Sequence, residues 1–239
     1  MAEKTISLSL IIPAYNESER ISKTLIHFKN YVKTHPKTEL IFVCDGTDKT
    51  EDILRSKFKN FADFNVIVFG QRQGKGGAVR SGMQEAKGDT QIFIDADLST
   101  PLSEIPKLLD PIKNKYCDVV IGSRGMETSK IRQTQGKSRE LAGKIFGTFS
   151  RWVTGLDFKD FQCGFKGFSQ KASQIIFSKQ KIISPVFDVE ILNIAKKKRL
   201  KIIEVGVEWK HHPDSKIRYN TKRSIAAFID LVKIKFYQY

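Results

Sequence analysis

Asp95-Ala96-Asp97 closes the apolar run Ile92-Phe93-Ile94, and two carboxylates at i and i+2 on an extended segment project to the same side. Hard oxygen ligands so placed suit Mg²⁺ or Mn²⁺, which keep several waters and bind through one or two carboxylates plus substrate phosphates. The same aspartates admit a structural reading, because Asp after a strand commonly caps the next helix. Three further segments carry the chemistry of a nucleotide site: Pro13-Ala14-Tyr15-Asn16-Glu17, Asp45-Gly46-Thr47 and Gly74-Lys75-Gly76-Gly77-Ala78. Glycines there permit close backbone approach, and Lys75 or Arg80 could neutralise a phosphate near a helix N-terminus. A short glycine run alone is more often an ordinary turn, so the case for a ligand lies in the company these segments keep.

The elements around them set that company. Strand patterns run over Ser7–Pro13, Leu40–Cys44, Asn65–Phe69, Gln91–Asp95 and Asp118–Ile121. Helical patterns alternate with them over Glu17–Val32, Asp48–Lys59, Gly76–Ala86 and Ser103–Ile112. This rhythm predicts an α/β fold with a mostly parallel central sheet flanked by helices, and ligands then bind beyond the carboxyl ends of the strands. The rhythm breaks over Gly125–Lys137, a polar and basic stretch that reads as a mobile loop over the site. A helix over Ser138–Thr154, a strand at Phe165–Phe168, helices at Ala172–Phe177 and Asp188–Lys198, and a strand at Ile202–Trp209 complete the pattern. The last element is an amphipathic helix from Lys222 to Tyr237.

Composition bounds the function. A chain of 239 residues with 40% hydrophobic residues can bury one substantial core. Three cysteines, odd in number and without metal-ligand spacing, argue against a disulfide framework or a zinc site, and Cys163 reads as structural. Adjacent His211 and His212 do not share a face in a strand, which argues against their binding one metal together. No signal peptide and no membrane-length apolar run is present, so the expected location is cytoplasmic. The net charge of +15 calls for an anionic partner, whether nucleic acid, anionic lipid or phosphorylated substrate. No nucleic acid is expected, because carboxylates at the strand ends repel phosphate unless a metal intervenes.

Ser9 to Glu17, Asp45 to Thr50, Gly74 to Arg80, Asp95 to Pro101 and Ile121-Gly122-Ser123-Arg124 together resemble the inverting family 2 glycosyltransferases of GT-A (Rossmann-like) fold. The likeness continues through Asp160-Phe-Gln-Cys-Gly-Phe-Lys166, Phe187-Asp-Val-Glu190, Val207-Glu-Trp209 and Asp214-Ser-Lys216, which are similar to the dolichyl-phosphate glucosyltransferase branch. That resemblance implies that Pro13, Ala14, Tyr15, Glu17, Asp45, Lys75, Asp95 and Ala96 bind the nucleotide-sugar, and that Asp97, with Asp95 beside it, holds the metal. It further implies that Arg124, Gln162 and Lys216 surround the diphosphate or acceptor phosphate and that Asp188 lines the sugar pocket. The implied reaction moves glucose from UDP-glucose to a dolichyl or polyprenyl phosphate with inversion; transfer of mannose from GDP-mannose is the alternative. Cys44 where the family usually has a second aspartate, and Arg72 where it often has asparagine, leave the donor base open.

Residues 1–221 read as the catalytic domain and 222–239 as a C-terminal helix. On that helix Ile225, Phe228, Ile229, Val232 and Phe236 form one stripe flanked by Lys222, Lys233 and Lys235. Packing of the stripe on the sheet is one reading. Apolar residues off the stripe, Leu231 and Ile234, with Phe149 and Trp152 on an earlier helix, instead favour a face toward an anionic membrane, and so a peripheral, salt-sensitive association.

Overall fold

The structure is a computed structural model that describes residues 6–133, 137–211 and 221–239. Its first half alternates β1 (Leu8–Ala14), α1 (Ile21–Thr34), β2 (Thr38–Cys44), α2 (Thr50–Lys57), β3 (Phe64–Val68), α3 (Gly74–Glu85), β4 (Thr90–Ile94), α4 (Ile105–Lys113) and β5 (Val119–Ser123). There follow β6 (Lys130–Gln133), α5 (Lys137–Thr154), β7 (Phe165–Ser169), α6 (Gln170–Phe177), α7 (Phe187–Lys197), β8 (Ile202–Gly206), β9 (Glu208–Lys210) and α8 (Thr221–Phe236). Seven strands form one sheet in the order β3-β2-β1-β4-β7-β5-β8, in which β7 alone runs antiparallel to its neighbours. The mostly parallel α/β sheet predicted from the sequence is present.

Strands buried on both faces read as near-continuous apolar runs, and β2 shows it: every residue from Thr38 to Cys44 is buried. One layer of core fills the space between the sheet and α1, α2 and α4, with Phe28, Phe42 and Phe58 at its centre. The other lies under α3, α6, α7 and α8, around Phe93, Phe168 and Phe187. Helix α3 lies close on the sheet because Gly82 has no side chain; a Cβ there would stand 2.5 Å from Ile11 Cγ2. The strand order reverses between β1 and β4, since β2 and β3 extend one way from β1 and β4 begins the other way. A crevice forms at such a switch point, beyond the carboxyl ends of the strands.

Three expectations need correction. The stretch Gly125–Lys137 is not wholly a loop, because β6 pairs in parallel with β9, and Arg132 clasps Glu208 through two hydrogen bonds. The single strand expected over Ile202–Trp209 divides at Val207, with β8 in the main sheet and β9 in the two-stranded one. On α8 the faces are the reverse of the packing reading: Leu231 and Ile234 are buried, while Ile225, Phe228, Ile229, Val232 and Phe236 are exposed. A helix with apolar residues on more than one side does not declare by period which side meets the core. The inward side is fixed by Asn193 of α7, whose amide donates to the Ile234 carbonyl.

This orientation predicts that Leu231→Ala lowers the unfolding free energy by about 2–5 kcal/mol. Ile229→Ala, half exposed on the opposite side, is expected to change it by no more than about 0.5 kcal/mol. Denaturant unfolding of the two variants checks the pair.

Candidate active site

Four loops reach the carboxyl edge of the sheet around the switch point. After β1 the chain turns through Tyr15 and Asn16, the latter at φ 52°, and the Asn16 side chain accepts from Thr47 N after β2. Tyr15 lies under the guanidinium of Arg72, whose Cζ stands 4.2 Å from the ring centroid. Asp45 receives the N–H groups of Gln73 and Gly74 at 2.5 and 2.7 Å, so its carboxylate braces the entry to α3. Ala14, Asn16, Cys44, Gly46, Asp48 and Val68 line a small recess here. Glu17 is turned to Arg20, with its backbone N–H given to Thr50, and so serves the start of α1. Pro13 and Ala14 belong to β1 itself, in register with Val43 and Cys44.

Beyond β4 the two aspartates are not on an extended segment. Asp95 to Leu98 is a turn, closed by Leu98 N on the Asp95 carbonyl, with Leu98 at φ 52°. Ala96 is buried inside it, and Asp97 Oδ1 accepts from Ser99 N at 3.0 Å. Asp95 forms an ion pair with Lys75 at 2.7 Å from the first turn of α3. Its carboxylate occupies space left by Gly164, where a Cβ would fall 2.0 Å from Asp95 Oδ2. A cradle that only glycine permits, with Asp97 half-exposed beside it, fits a hard cation held by one or two carboxylates and completed by a substrate diphosphate. Asp95 and Asp97 would hold the ion. Among the described residues no group of three or more acidic, His or Cys side chains gathers for a metal, so the protein's own donors would leave coordination sites to the substrate.

A second set of charges adjoins this one. Arg124, just after β5, grips Asp160 through Nε at 2.5 Å and Nη2 at 2.9 Å, and Asp160 also accepts from Arg124 N and Gln162 N. Burial favours the neutral form of Asp160, but the Arg124 guanidinium outweighs it and holds the carboxyl below its ordinary range. The Trp209 ring faces the guanidinium at 5.3 Å and stacks on His211. Lys210 N donates to the Ser99 carbonyl, which ties β9 to the aspartate turn. Asp188, in the first turn of α7, is buried against Lys166 at 2.5 Å, and the charges of Lys75 and Asp95 reach it. Burial pushes the Asp188 carboxyl up, against the pull of Lys166 and Lys75.

Of the residues singled out from the sequence, Lys75, Asp95, Asp97, Arg124, Gln162 and Asp188 thus meet along one edge. Tyr15 and Asp45 stand on its β1–β2 side, and the Glu17 carboxylate is engaged by Arg20. Lys216 and His212 lie outside the described residues. Sequence reasoning gave no role to Asp160, Lys166 or Trp209. A signal was present for Lys166, a charge between Phe165 and Phe168 in an otherwise uncharged strand.

This sheet, with its crevice at the switch point, has the α/β architecture of the GT-A fold. Among solved structures, glucosyl-3-phosphoglycerate synthase from Mycobacterium tuberculosis superposes with a TM-score of 0.69 at 19% identity, over 96% of this chain and 79% of that one. A mannosyltransferase from Pyrobaculum calidifontis, in complex with GDP-Man and Mn²⁺, gives 0.59 at 16% identity, over 97% and 66%. The glycosyl transferase family 2 profile matches residues 9–177. A dolichyl-phosphate beta-glucosyltransferase of Saccharomyces cerevisiae is 34% identical, over 98% of this chain and 75% of its own length. The enzyme of that name from Homo sapiens is 30% identical, over 89% and 70%. The chain belongs to glycosyltransferase family 2, and it is a glycosyltransferase.

The Asp160–Arg124 pair makes a pH prediction. A carboxyl held low in the native state stabilises the fold above its unfolded pKa, near 4, and loses that contribution as pH falls through the lower native value. Asp160→Asn is therefore expected to be less stable than wild type at about pH 7, with the gap narrowing towards about pH 2. Denaturant unfolding across that range reads the difference.

Proposed function

We propose that this protein transfers glucose from UDP-glucose to a dolichyl or polyprenyl phosphate, with inversion, at the Lys75–Asp95–Asp97–Arg124 edge. The observation that carries the reading is the meeting of carboxylates able to hold a cation with cations able to hold phosphates, in a chain alike along nearly its whole length to dolichyl-phosphate beta-glucosyltransferases. The nucleoside would lie against Tyr15 and the Asp45 side of the crevice, with its diphosphate toward the aspartate turn. A divalent ion, Mg²⁺ or Mn²⁺, held by Asp97 and Asp95 would neutralise charge on the diphosphate.

An acceptor phosphate oxygen attacks the anomeric carbon from the face opposite the leaving group. The carbon–oxygen bond to the diphosphate breaks, and UDP departs with the electron pair. A phosphate monoester has a second pKa of about 6, so the acceptor arrives largely ionised and asks little of a general base. The chain's part is then to position two anions against each other. Lys75, paired with Asp95, would reach the donor diphosphate, and Arg124, fixed by Asp160 and flanked by Trp209, presents its charge on the other side.

A lipid acceptor needs a lipid-facing surface, and the exposed apolar residues of α5 and α8 support a place for one. Exposed Ile145 and Trp152 on α5 join exposed Ile225, Phe228, Ile229, Val232 and Phe236 on α8. Phe149 contacts both Trp152 and Phe228, and the Lys235 ammonium caps the Trp152 ring at 3.4 Å. An apolar ridge bordered by lysines suits the interface of an anionic bilayer. No described helix is long and apolar enough to cross a membrane. On this reading the protein works at the cytoplasmic face, with residues 222–239 as the membrane-facing helix of a catalytic domain formed by 1–221.

Two assays test the reading. Purified protein with UDP-glucose or GDP-mannose, Mg²⁺ or Mn²⁺ and a short polyprenyl phosphate should move glucose into the lipid phase; EDTA should stop it, and Asp97→Ala should abolish it with an unchanged circular dichroism spectrum. Transfer by Asp97→Ala would sink the metal assignment, and transfer from GDP-mannose alone would replace the donor. In flotation with vesicles containing phosphatidylserine, wild type should rise with the lipid in low salt, while Phe228→Asp/Ile229→Asp stays behind.

A further inference from the structure

Lys166 occupies a costly position. It is the second residue of β7, in register with Phe93 of β4 and Ile121 of β5, and its side chain is wholly buried. Its ammonium donates to the Cys163 carbonyl at 2.7 Å and to Asp188 Oδ1 at 2.5 Å, and it lies 5.3 Å from the centroid of the Phe93 ring. Taking both charges of such a pair out of water is costly, and well-packed apolar residues of similar volume commonly serve stability as well or better. Stability alone therefore gives a weak reason for a lysine here.

The pair's geometry supplies a stronger one. Asp188 Oδ1 is engaged by Lys166, while Oδ2 accepts no hydrogen bond among the described residues. The carboxylate stands in the first turn of α7, and the segment leading into that helix is packed against the glycine-rich start of α3. Gly76 N donates to the Ile183 carbonyl, and a Cβ on Gly76 would meet Phe187 Cβ at 2.7 Å. Lys75, the neighbour of Gly76, pairs with Asp95, so Asp188 lies beside the place assigned to the donor diphosphate. A group attached to that diphosphate comes next along the edge, and the hydroxyls of a sugar are donors that a carboxylate oxygen accepts strongly.

We propose that Lys166 is a positioning residue: its buried ammonium holds Asp188 by one oxygen so that the other accepts a hydroxyl of the donor sugar. The inference rests on the nucleotide-sugar reading of this site and adds to it the device by which the sugar is recognised. A site built to bond a hydroxyl discriminates by leaving a buried polar group unpaired when that hydroxyl is missing or misplaced. Lys166 does not touch the substrate; it fixes the orientation of the group that does.

The test compares two ligands rather than one. Calorimetric titrations with UDP and with UDP-glucose, both with Mn²⁺, give the affinity increment due to the sugar for wild type, Lys166→Met, Lys166→Arg and Asp188→Asn. Lys166→Met is expected to bind UDP as wild type does and to lose at least about tenfold of the sugar increment, the worth of one hydrogen bond to a charged group. Lys166→Arg should recover part of it. A Lys166→Met protein that keeps the wild-type increment overturns the proposal while leaving the donor reading intact. Wild type that binds UDP-glucose no better than UDP overturns both.

Where Lys166→Met fails to fold because it buries a lone carboxylate, Lys166→Met/Asp188→Asn removes both charges. Once Asp188 is neutral, loss of Lys166 should reduce the sugar increment no further than Asp188→Asn does alone. A further independent loss would mean that Lys166 acts by some other route.

Discussion

Charge balance in a partly buried crevice is the constraint on which this site depends. Asp95, Asp160 and Asp188 each stand against a cation, Lys75, Arg124 and Lys166 respectively, at 2.5–2.7 Å. A buried charge without its partner is strongly destabilising, so these aspartates and cations have to be kept in pairs. The pairs differ in exposure, and the difference separates their work. Lys166–Asp188 is sealed in the core, whereas Lys75–Asp95 is partly open to solvent and, on the proposed reading, would exchange partners with a diphosphate and its cation.

The fold exists around this constraint in a specific sense. Parallel strands end together at one edge, and the reversal of strand order between β1 and β4 opens a crevice there without any distortion of the sheet. Antiparallel β7 starts at the same edge from the opposite direction, with Gly164 just before it making room for Asp95 and Lys166 within it bonded to Asp188. The small β6–β9 sheet ties the far side down through Lys210 N on the Ser99 carbonyl and brings Trp209 over Arg124. Each of these contacts joins segments distant in the chain.

That distance explains what could be read from the sequence and what could not. The alternation of apolar strands and amphipathic helices over the first half is local, and the structure follows it closely from Leu8 to Ser123. The loops at the strand ends were legible for the same reason, since Asp95, Asp97 and the glycines before α3 announce themselves by type and spacing. The β6–β9 pairing was not legible, because strands of four and three residues separated by α5, β7, α6, α7 and β8 leave no periodic trace. The turn geometry of Asp95–Leu98, the use of Asp45 as a brace for α3 and the outward side of α8 likewise depend on partners that no local window contains. Lys166 was visible only as a misfit in an otherwise uncharged strand, and its meaning came from Asp188, twenty-two positions away.

On the proposed reading, the aspartate turn takes a cation together with the donor diphosphate. Electron paramagnetic resonance of Mn²⁺ reads this directly, by titrating the ion into the protein with and without UDP-glucose and looking for phosphorus coupling to the bound metal. Tight Mn²⁺ with phosphorus coupling is expected only when the nucleotide-sugar is present, and it should vanish in Asp97→Ala. Mn²⁺ bound equally well without nucleotide, or by Asp97→Ala as by wild type, would contradict it.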